Sequence, residues 1–446
     1  MAKKQDLRVK TRKKRESPYQ KIRDSLQVPA DAPDEEGAEP SPVREVSRKS
    51  RRRRRRVLRV ISRLIILAAL ALAVYLVWQN WDKLSPANLI VWIEDTFSGK
   101  GQNGSFPVEL SGGTVVGMEE MDGNLAVLTD TEFRMYRENG AELLRRTLGY
   151  SNAQLCTAGE YALIAELGGS RFRLETRAET VLNVTNDNQA VDENNKVAQI
   201  LDVPLGNNIL AADVDENGRM AFVTAASQSF LSEVVVYSRK GQQLFRAEDT
   251  ETMAVDVALS PDGTQVAVVG VSAEGGAVTS TLKVYDLNAP DQAPWEHTES
   301  ETMLLGVDYF AGGTVAAVGD NAVWVAKPNG ALFEKQEYDD RQLAGFAIGE
   351  DCAALVLQKY GSSDGGELMM VLPTGDVSFT QTFDEAFRQV APADNGVLLL
   401  VAGKLYQTDL KGLGTPVEVQ QDCQRVEKIG NTLVTLGLAE LRRVDT

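Results

Sequence analysis

The chain has 446 residues, with 47 Lys or Arg, 63 Asp or Glu, one His and three Cys, for a formal net charge of −16. One His cannot supply a His-rich metal site or two proton shuttles, and three Cys cannot build a disulfide framework or a four-cysteine zinc site. The charge is segregated: residues 1–63 carry 21 Lys/Arg against 9 Asp/Glu, and the remainder carries 26 against 54.

Residues 1–56 read as a disordered, basic, cytoplasmic tail. They hold few large apolar side chains, so they cannot bury enough surface to offset chain entropy. Ser17-Pro18 and Ser41-Pro42 are ordinary turn signals. Six consecutive arginines, Arg51, Arg52, Arg53, Arg54, Arg55 and Arg56, close the tail and stand against LIILAALALAVYLVW, which runs from Leu64 to Trp78. Roughly 20 helical residues cross the hydrocarbon layer, so a transmembrane helix is expected over 57–81, with Trp78 and Trp81 at an interface. A cleaved signal peptide would need a small-residue cleavage site, and Gln79-Asn80-Trp81-Asp82 follows instead. The positive-inside rule puts the amino terminus in the cytoplasm and the acidic bulk outside it. Beside a span, the arginine run has a simple role at anionic head groups of the lipid bilayer, and no nucleic acid is expected as a partner.

Residues 82–104 read as a juxtamembrane helix and a Gly-rich linker. Ser85-Pro86 is a helix start, and Leu89, Ile90, Ile93 and Phe97 share a face. Gly99, Gly101 and Gly104 match a dinucleotide fingerprint in form, but no strand precedes them and Ser105-Phe106-Pro107 follows, so the match is a linker.

From 105 to 446 the pattern is short strands punctuated by turns, and the fold class expected is all-β: an eight-bladed β-propeller, with seven blades as the alternative count. Val255 to Val269, VDVALSPDGTQVAVV, is a strand, a Pro-Asp-Gly turn and a second strand. Comparable turns recur at Gly123, Gly159, Gly218, Gly313, Gly349, Gly396 and Gly430, at a mean spacing of roughly 44 residues, the interval of four-stranded blades. A second series of turns, among them Gly140, Gly241, Gly330, Gly375 and Gly412, runs in phase with the first. The chain stops after a third strand, so the last blade is expected to borrow its fourth from Phe106 to Leu110 and close the ring. The polar run Thr185 to Lys196 reads as an insertion. A pair of β-sandwiches would not require the same turn in the same phase eight times.

The Ser260-Pro261-Asp262-Gly263 hairpin with its Val/Ala strand resembles the WD40-like repeats of TolB-type propellers. The whole plan, a basic tail, one span, a Pro-started helix containing Trp92-Ile93, then Phe106-Pro107 and a propeller, resembles an uncharacterised bacterial family of membrane-anchored propellers known as a domain of unknown function. The resemblance implies architecture and location, and it brings no catalytic residues. The Gly-His and Trp-Asp dipeptides of WD40 repeats are absent.

No motif carries chemistry convincingly. Gly361-Ser362-Ser363-Asp364-Gly365 has the form of a nucleophile elbow, but the only His, His297, precedes it in the chain, against the order such a triad needs. Asp213-Val214-Asp215-Glu216-Asn217-Gly218 begins like a calcium loop and lacks the glutamate at its twelfth position, which is Thr224, so a hairpin turn is the better reading. Cys156, Cys352 and Cys423 read as small buried hydrophobes. Asn183-Val184-Thr185 is a glycosylation sequon in form only. No catalytic residue, cofactor or metal ligand is assigned.

Three second-to-third-strand connections look long, Ala225 to Glu233, Val271 to Thr281 and Tyr360 to Glu367, and all project to one face. The first contains Ser229, Phe230 and Leu231, and this apolar pair is the expected docking point, with a Phe230 folded back onto its own blade as the alternative. The expected function is therefore a single-pass, membrane-anchored, non-catalytic scaffold presenting a propeller to an envelope protein or glycan. The alternative is an envelope polysaccharide hydrolase or lyase, for which the strands nearest the axis must bear convergent Asp/Glu.

Overall fold

The computed structural model describes residues 104–184 and 207–444 except 112, 226, 363 and 364, together with the backbone of 189–191 and 197–200 and five exposed helical positions, Ile61, Ile65, Ala68, Ala71 and Tyr75. The arginine run, the expected juxtamembrane helix and, apart from those five positions, the expected span lie outside the described residues. No helix among the described residues is long and apolar enough to cross a membrane.

Residues 108–444 form eight antiparallel sheets, each a four-stranded blade or an elaboration of one. The blades cover residues 115–147, 153–200, 209–249, 253–300, 304–337, 341–383, 387–418 and 425–444. The second strands are buried along most of their length, as in Tyr161–Glu166, Met220–Thr224, Val315–Gly319 and Gly396–Val401, the long Gln265–Glu274 being the exception, buried over Val266 to Gly270. Both faces of such a strand meet neighbouring blades, so Val, Ala and Leu run continuously there instead of alternating with polar residues.

The apolar core is divided accordingly. Eight clusters each bridge two successive blades, from Met121, Leu128 and Ile164 between the first and second to Leu125, Tyr136 and Val434 between the eighth and first. The ring is therefore closed by packing on every side. It is also closed by hydrogen bonds. Val108–Glu109 pairs with the third strand of the eighth blade through Val108↔Leu441 and Glu109↔Glu440, and the Leu110 N–H donates to the Ala439 carbonyl at 2.8 Å. The shared blade expected from the sequence is present, and the count is eight.

Two elements differ from expectation. The connection Val271 to Thr281 is strand, not loop: Gln265–Glu274 and Ala277–Asp286 stay paired to Glu274↔Ala277 and turn on Gly275-Gly276, both at positive φ. A two-glycine turn supports such a tight hairpin because both positions need a left-handed backbone. The insertion in the second blade adds two strands, Gln189–Val191 and Val197–Ile200, beyond its fourth, making that sheet six-stranded.

Six of the eight first strands share a register shift at the same place, which leaves Val116, Leu210, Val255, Leu305, Ala344 and Arg388 without a partner. A β-bulge bends a strand and increases its twist. Here it acts on the innermost strands of those six blades.

Candidate functional site

First strands are edge strands, so the N–H groups on their open side have no ladder partner. The preceding blade supplies acceptors. Asp213 accepts the Leu259 N–H at 2.7 Å, Asp256 accepts the Val307 N–H at 2.9 Å, and Gln389 accepts the Val426 N–H at 2.7 Å. Glu119 accepts from the Thr157 hydroxyl of the next blade at 3.0 Å. Side chains near the axis thus join one blade to the next, and the first strands bring five carboxylates there: Glu119, Asp213 and Asp256, which make such inter-blade bonds, and Asp308 and Glu427, whose bonds are local.

Enclosure disfavours the charged form of each. Burial pushes Glu119 up to about 7 against the bond from Thr157, and it pushes Asp256 up to about 6. Burial and then the Asp256 charge raise Asp308 to about 7; Asp308 keeps accessible surface on the lumen although protein surrounds it. Asp213 lies well above the carboxylate range through burial first and the Asp308 charge second. Glu427 rises to about 8 through burial, then through Glu119 and Glu120.

A cavity of roughly 590 Å³ opens at one end of this channel, on the face of the first-to-second-strand turns. Glu120, Asp308, Glu350, Asp351, Asp394 and Glu427 line it, and the one lysine there, Lys428, is paired with Asp394 at 2.7 Å. Among the described residues no group of His, Cys, Asp or Glu has an arrangement suited to a metal ion.

The opposite face carries the second-to-third-strand connections. Phe230 is buried at 8% and folds back onto its blade, the alternative reading of this loop; Leu231 is 44% exposed and Ser229 is exposed. The turn is held by the Ser227 N–H to the Phe230 carbonyl at 3.1 Å and the Leu231 N–H to the Asp249 carbonyl at 2.7 Å. Of the expected docking pair, only Leu231 presents apolar surface to solvent. It has company that sequence reading missed. Val116, Met253, Val278, Met303, Leu305, Tyr360 and Leu438 are also exposed and lie at this end of their blades, whereas Leu244 and Val377 lie on outer strands. First strands start at this face, and that placement is what gathers these residues.

The remaining motifs resolve as structure. Asp215 accepts the Asn217 and Arg219 N–H groups at 2.9 and 2.8 Å, so the calcium-like stretch is a capped hairpin turn. Gly361 and Gly365 both sit at positive φ in a connection beside the exposed Tyr360. The three cysteines are free thiols; Cys352 and Cys423 are buried and Cys156 is half-buried, with its Sγ against the Ala212 carbonyl at 3.1 Å. His297 stacks on Phe333 at 3.7 Å between ring centroids and meets Glu299 at 3.1 Å on an outer strand, far in the fold from the channel.

The fold is similar to solved WD40 structures. Sqt1 of Saccharomyces cerevisiae superposes with a TM-score of 0.51 at 11% identity, over 77% of this chain and 99% of that one. The carboxyl-terminal WD40 domain of Sif2 gives the same values. At such identity the likeness concerns the fold alone. No curated protein matches the chain. The family model described as "Family of unknown function (DUF5711)" matches residues 103–415, which is nearly the whole propeller. The chain belongs to that family, and its fold is an eight-bladed, WD40-like propeller.

Proposed function

We propose that the chain is a membrane-anchored, non-catalytic binding protein that presents the long-loop face of its propeller, outside the cytoplasm, to an envelope protein or glycan. The observation that carries the binding role is the gathering of exposed apolar side chains, Leu231, Met253, Val278, Met303 and Leu305 among them, at one face of a rigid ring. Contiguous exposed apolar surface marks interaction sites, and the propeller holds these residues on strand ends fixed by blade packing. Gly104 lies close to the Gly140-Ala141 backbone at a third-to-fourth-strand turn, at the face opposite the second-to-third-strand connections. Anchoring rests on the apolar run at 64–78 and the arginines before it.

The binding role is tested by crosslinking in cells, detergent extraction of the tagged full chain and mass spectrometry of what accompanies it. A partner recovered reproducibly and lost on Leu231→Ser supports the platform; recovery unaffected by that substitution, or no partner at all, contradicts it. For topology, protease added to intact spheroplasts is expected to remove a carboxyl-terminal tag and spare an amino-terminal one.

The channel favours a second reading, polysaccharide cleavage by a carboxylate pair, because five carboxylates converge there with raised pKa values. Against it, Asp213 and Asp256 are each engaged in capping the neighbouring blade. Turnover of an envelope glycan by the purified chain, abolished by Glu427→Gln, would establish this reading in place of the first.

A further inference from the structure

The fourth and fifth blades open on the same tripeptide, Glu251-Thr252-Met253 and Glu301-Thr302-Met303. In both, the threonine is buried beside a glycine of its own blade: a Cβ on Gly270 would meet Thr252 Oγ1 at 2.9 Å, and one on Gly319 would meet Thr302 Cγ2 at 2.6 Å. The buried threonine leaves its two neighbours outward. Met253 is 46% exposed and Met303 41%, and both glutamates are exposed.

Adjoining loops are tied to these two positions. The Leu231 N–H donates to the Asp249 carbonyl, the Glu301 N–H donates to the Val278 carbonyl at 3.0 Å, and the Met303 N–H donates to Asp320 at 2.8 Å. The result is an apolar sector, Leu231, Met253, Val278, Met303 and Leu305, across three blades.

Its charge is one-sided. The nearby cations are already engaged: Arg246 with Glu233 and Glu248, Lys283 with Asp249, and Lys335 with Glu299. Among the described residues Glu251 and Glu301 have no ion-pair partner. A neutral or anionic partner covering the methionines would strip water from these two carboxylates without replacing it, which costs free energy. A partner with its own cations would satisfy them.

We propose that this sector docks a cationic protein segment that carries two apolar side chains, one for each methionine, flanked by Lys or Arg that meet Glu251 and Glu301. Methionine suits such a surface because its flexible, polarizable side chain adapts to the anchor it receives. The inference rests on the platform reading and adds the chemistry of the partner.

The test uses the full chain and a fluorescently labelled synthetic peptide that repeats Lys-Leu-Leu-Lys, followed by anisotropy at low and high salt. The expected result is binding that weakens with salt and falls roughly tenfold in M253S/M303S and further in E251K/E301K. All four residues are exposed, so the melting temperature of each variant should match the parent and separate lost binding from lost folding. Unchanged affinity in both variants, or equal binding of a Glu-Leu-Leu-Glu peptide, would overturn the proposal. So would a neutral glycan that binds through the methionines and ignores the charge reversals. A crosslinked cellular partner lost on Leu231→Ser but kept by E251K/E301K would overturn the partner chemistry and leave the platform standing. Peptide binding as expected without any cellular partner would support the sector's chemistry and count against the platform.

Discussion

Replacing Glu427 with Gln is expected to stabilise the propeller in alkaline solution and to leave it nearly unchanged in acid. Glu427 lies on the first strand of the eighth blade, Arg425–Ile429, and among the described residues its hydrogen bond is a local one from the Lys428 N–H at 3.2 Å. Burial, with Glu119 and Glu120 close by, raises its pKa from 4.5 to about 8. The folded state therefore binds a proton that the unfolded state has released between those values, and stability falls as pH rises through that window. Below about 4.5 both states are protonated and the stability associated with this group is fully present. At about 1.4 kcal/mol per pKa unit, the difference amounts to about 5 kcal/mol at pH values above 8. Glu427 is half-exposed to the lumen, where water and salt screen part of that, so a gain of about 2 kcal/mol is expected for the amide, which has the same shape and no charge. Thermal melts of the full chain and the variant, followed by circular dichroism on either side of the window, measure it. A melting-temperature difference of equal size in acid and in alkali would refute the electrostatic account, and a variant less stable than the parent in alkali would refute it outright.

Other outcomes follow from packing and burial. Trp324→Ala, at a side chain with no exposed surface in the cluster between the fourth and fifth blades, should cost about 3–5 kcal/mol in denaturant unfolding. Glu175→Ala removes a fully buried carboxylate that pairs with Arg146 and Arg173, leaving two guanidinium groups uncompensated, and should cost a similar about 3–5 kcal/mol. Leu441→Ala empties a buried site at the seam where the amino-terminal strand closes the ring, with an expected loss of about 2–5 kcal/mol and earlier proteolysis near Val108. Burial pushes the Cys352 thiol up to about 11 and the Cys156 thiol well above its ordinary value, so a thiol reagent at neutral pH should label the native chain slowly and the unfolded chain at once.

The ring itself was legible because its turns are chemically marked. Gly123, Gly218, Gly263, Gly313 and Gly430 all sit at positive φ, where glycine is favoured, so the spacing of glycines tracks the spacing of blades. The shared last blade was legible from the short strand Phe106 to Leu110 just before the first blade, which pairs as Val108↔Leu441. The Gly275-Gly276 hairpin was misread as loop because Ser272, Glu274 and Thr279 look like loop composition, whereas pairing is decided by the backbone and by the turn that permits it. Phe230 could be read either way, because an apolar residue among serines fits exposure and folding back equally well until its carbonyl is found turned back to Ser227.

The channel carboxylates left a fainter signal. They come from five blades, so no local spacing gathers them. Aligned on the bulge, however, Glu119, Asp213 and Asp308 occupy one position, each two residues after the small residue Gly117, Ala211 or Gly306. Crowding accounts for the small residue, since a Cβ on Gly306 would come within 2.5 Å of Phe346 in the next blade. The acceptors of the ring answer to the orphaned N–H groups of the neighbouring edge strand, and Gln389 shows that an uncharged side chain can do the same work. Charge is thus dispensable where only an acceptor is needed. Glu427 bonds to no neighbouring blade and burial raises its pKa to about 8, so it is a position where a carboxylate costs stability with little structural return. If Glu427→Gln brings no gain in alkali, the lumen must hold enough water to keep these groups close to their ordinary acidity, and the channel would then be an aqueous passage lined by ordinary charges.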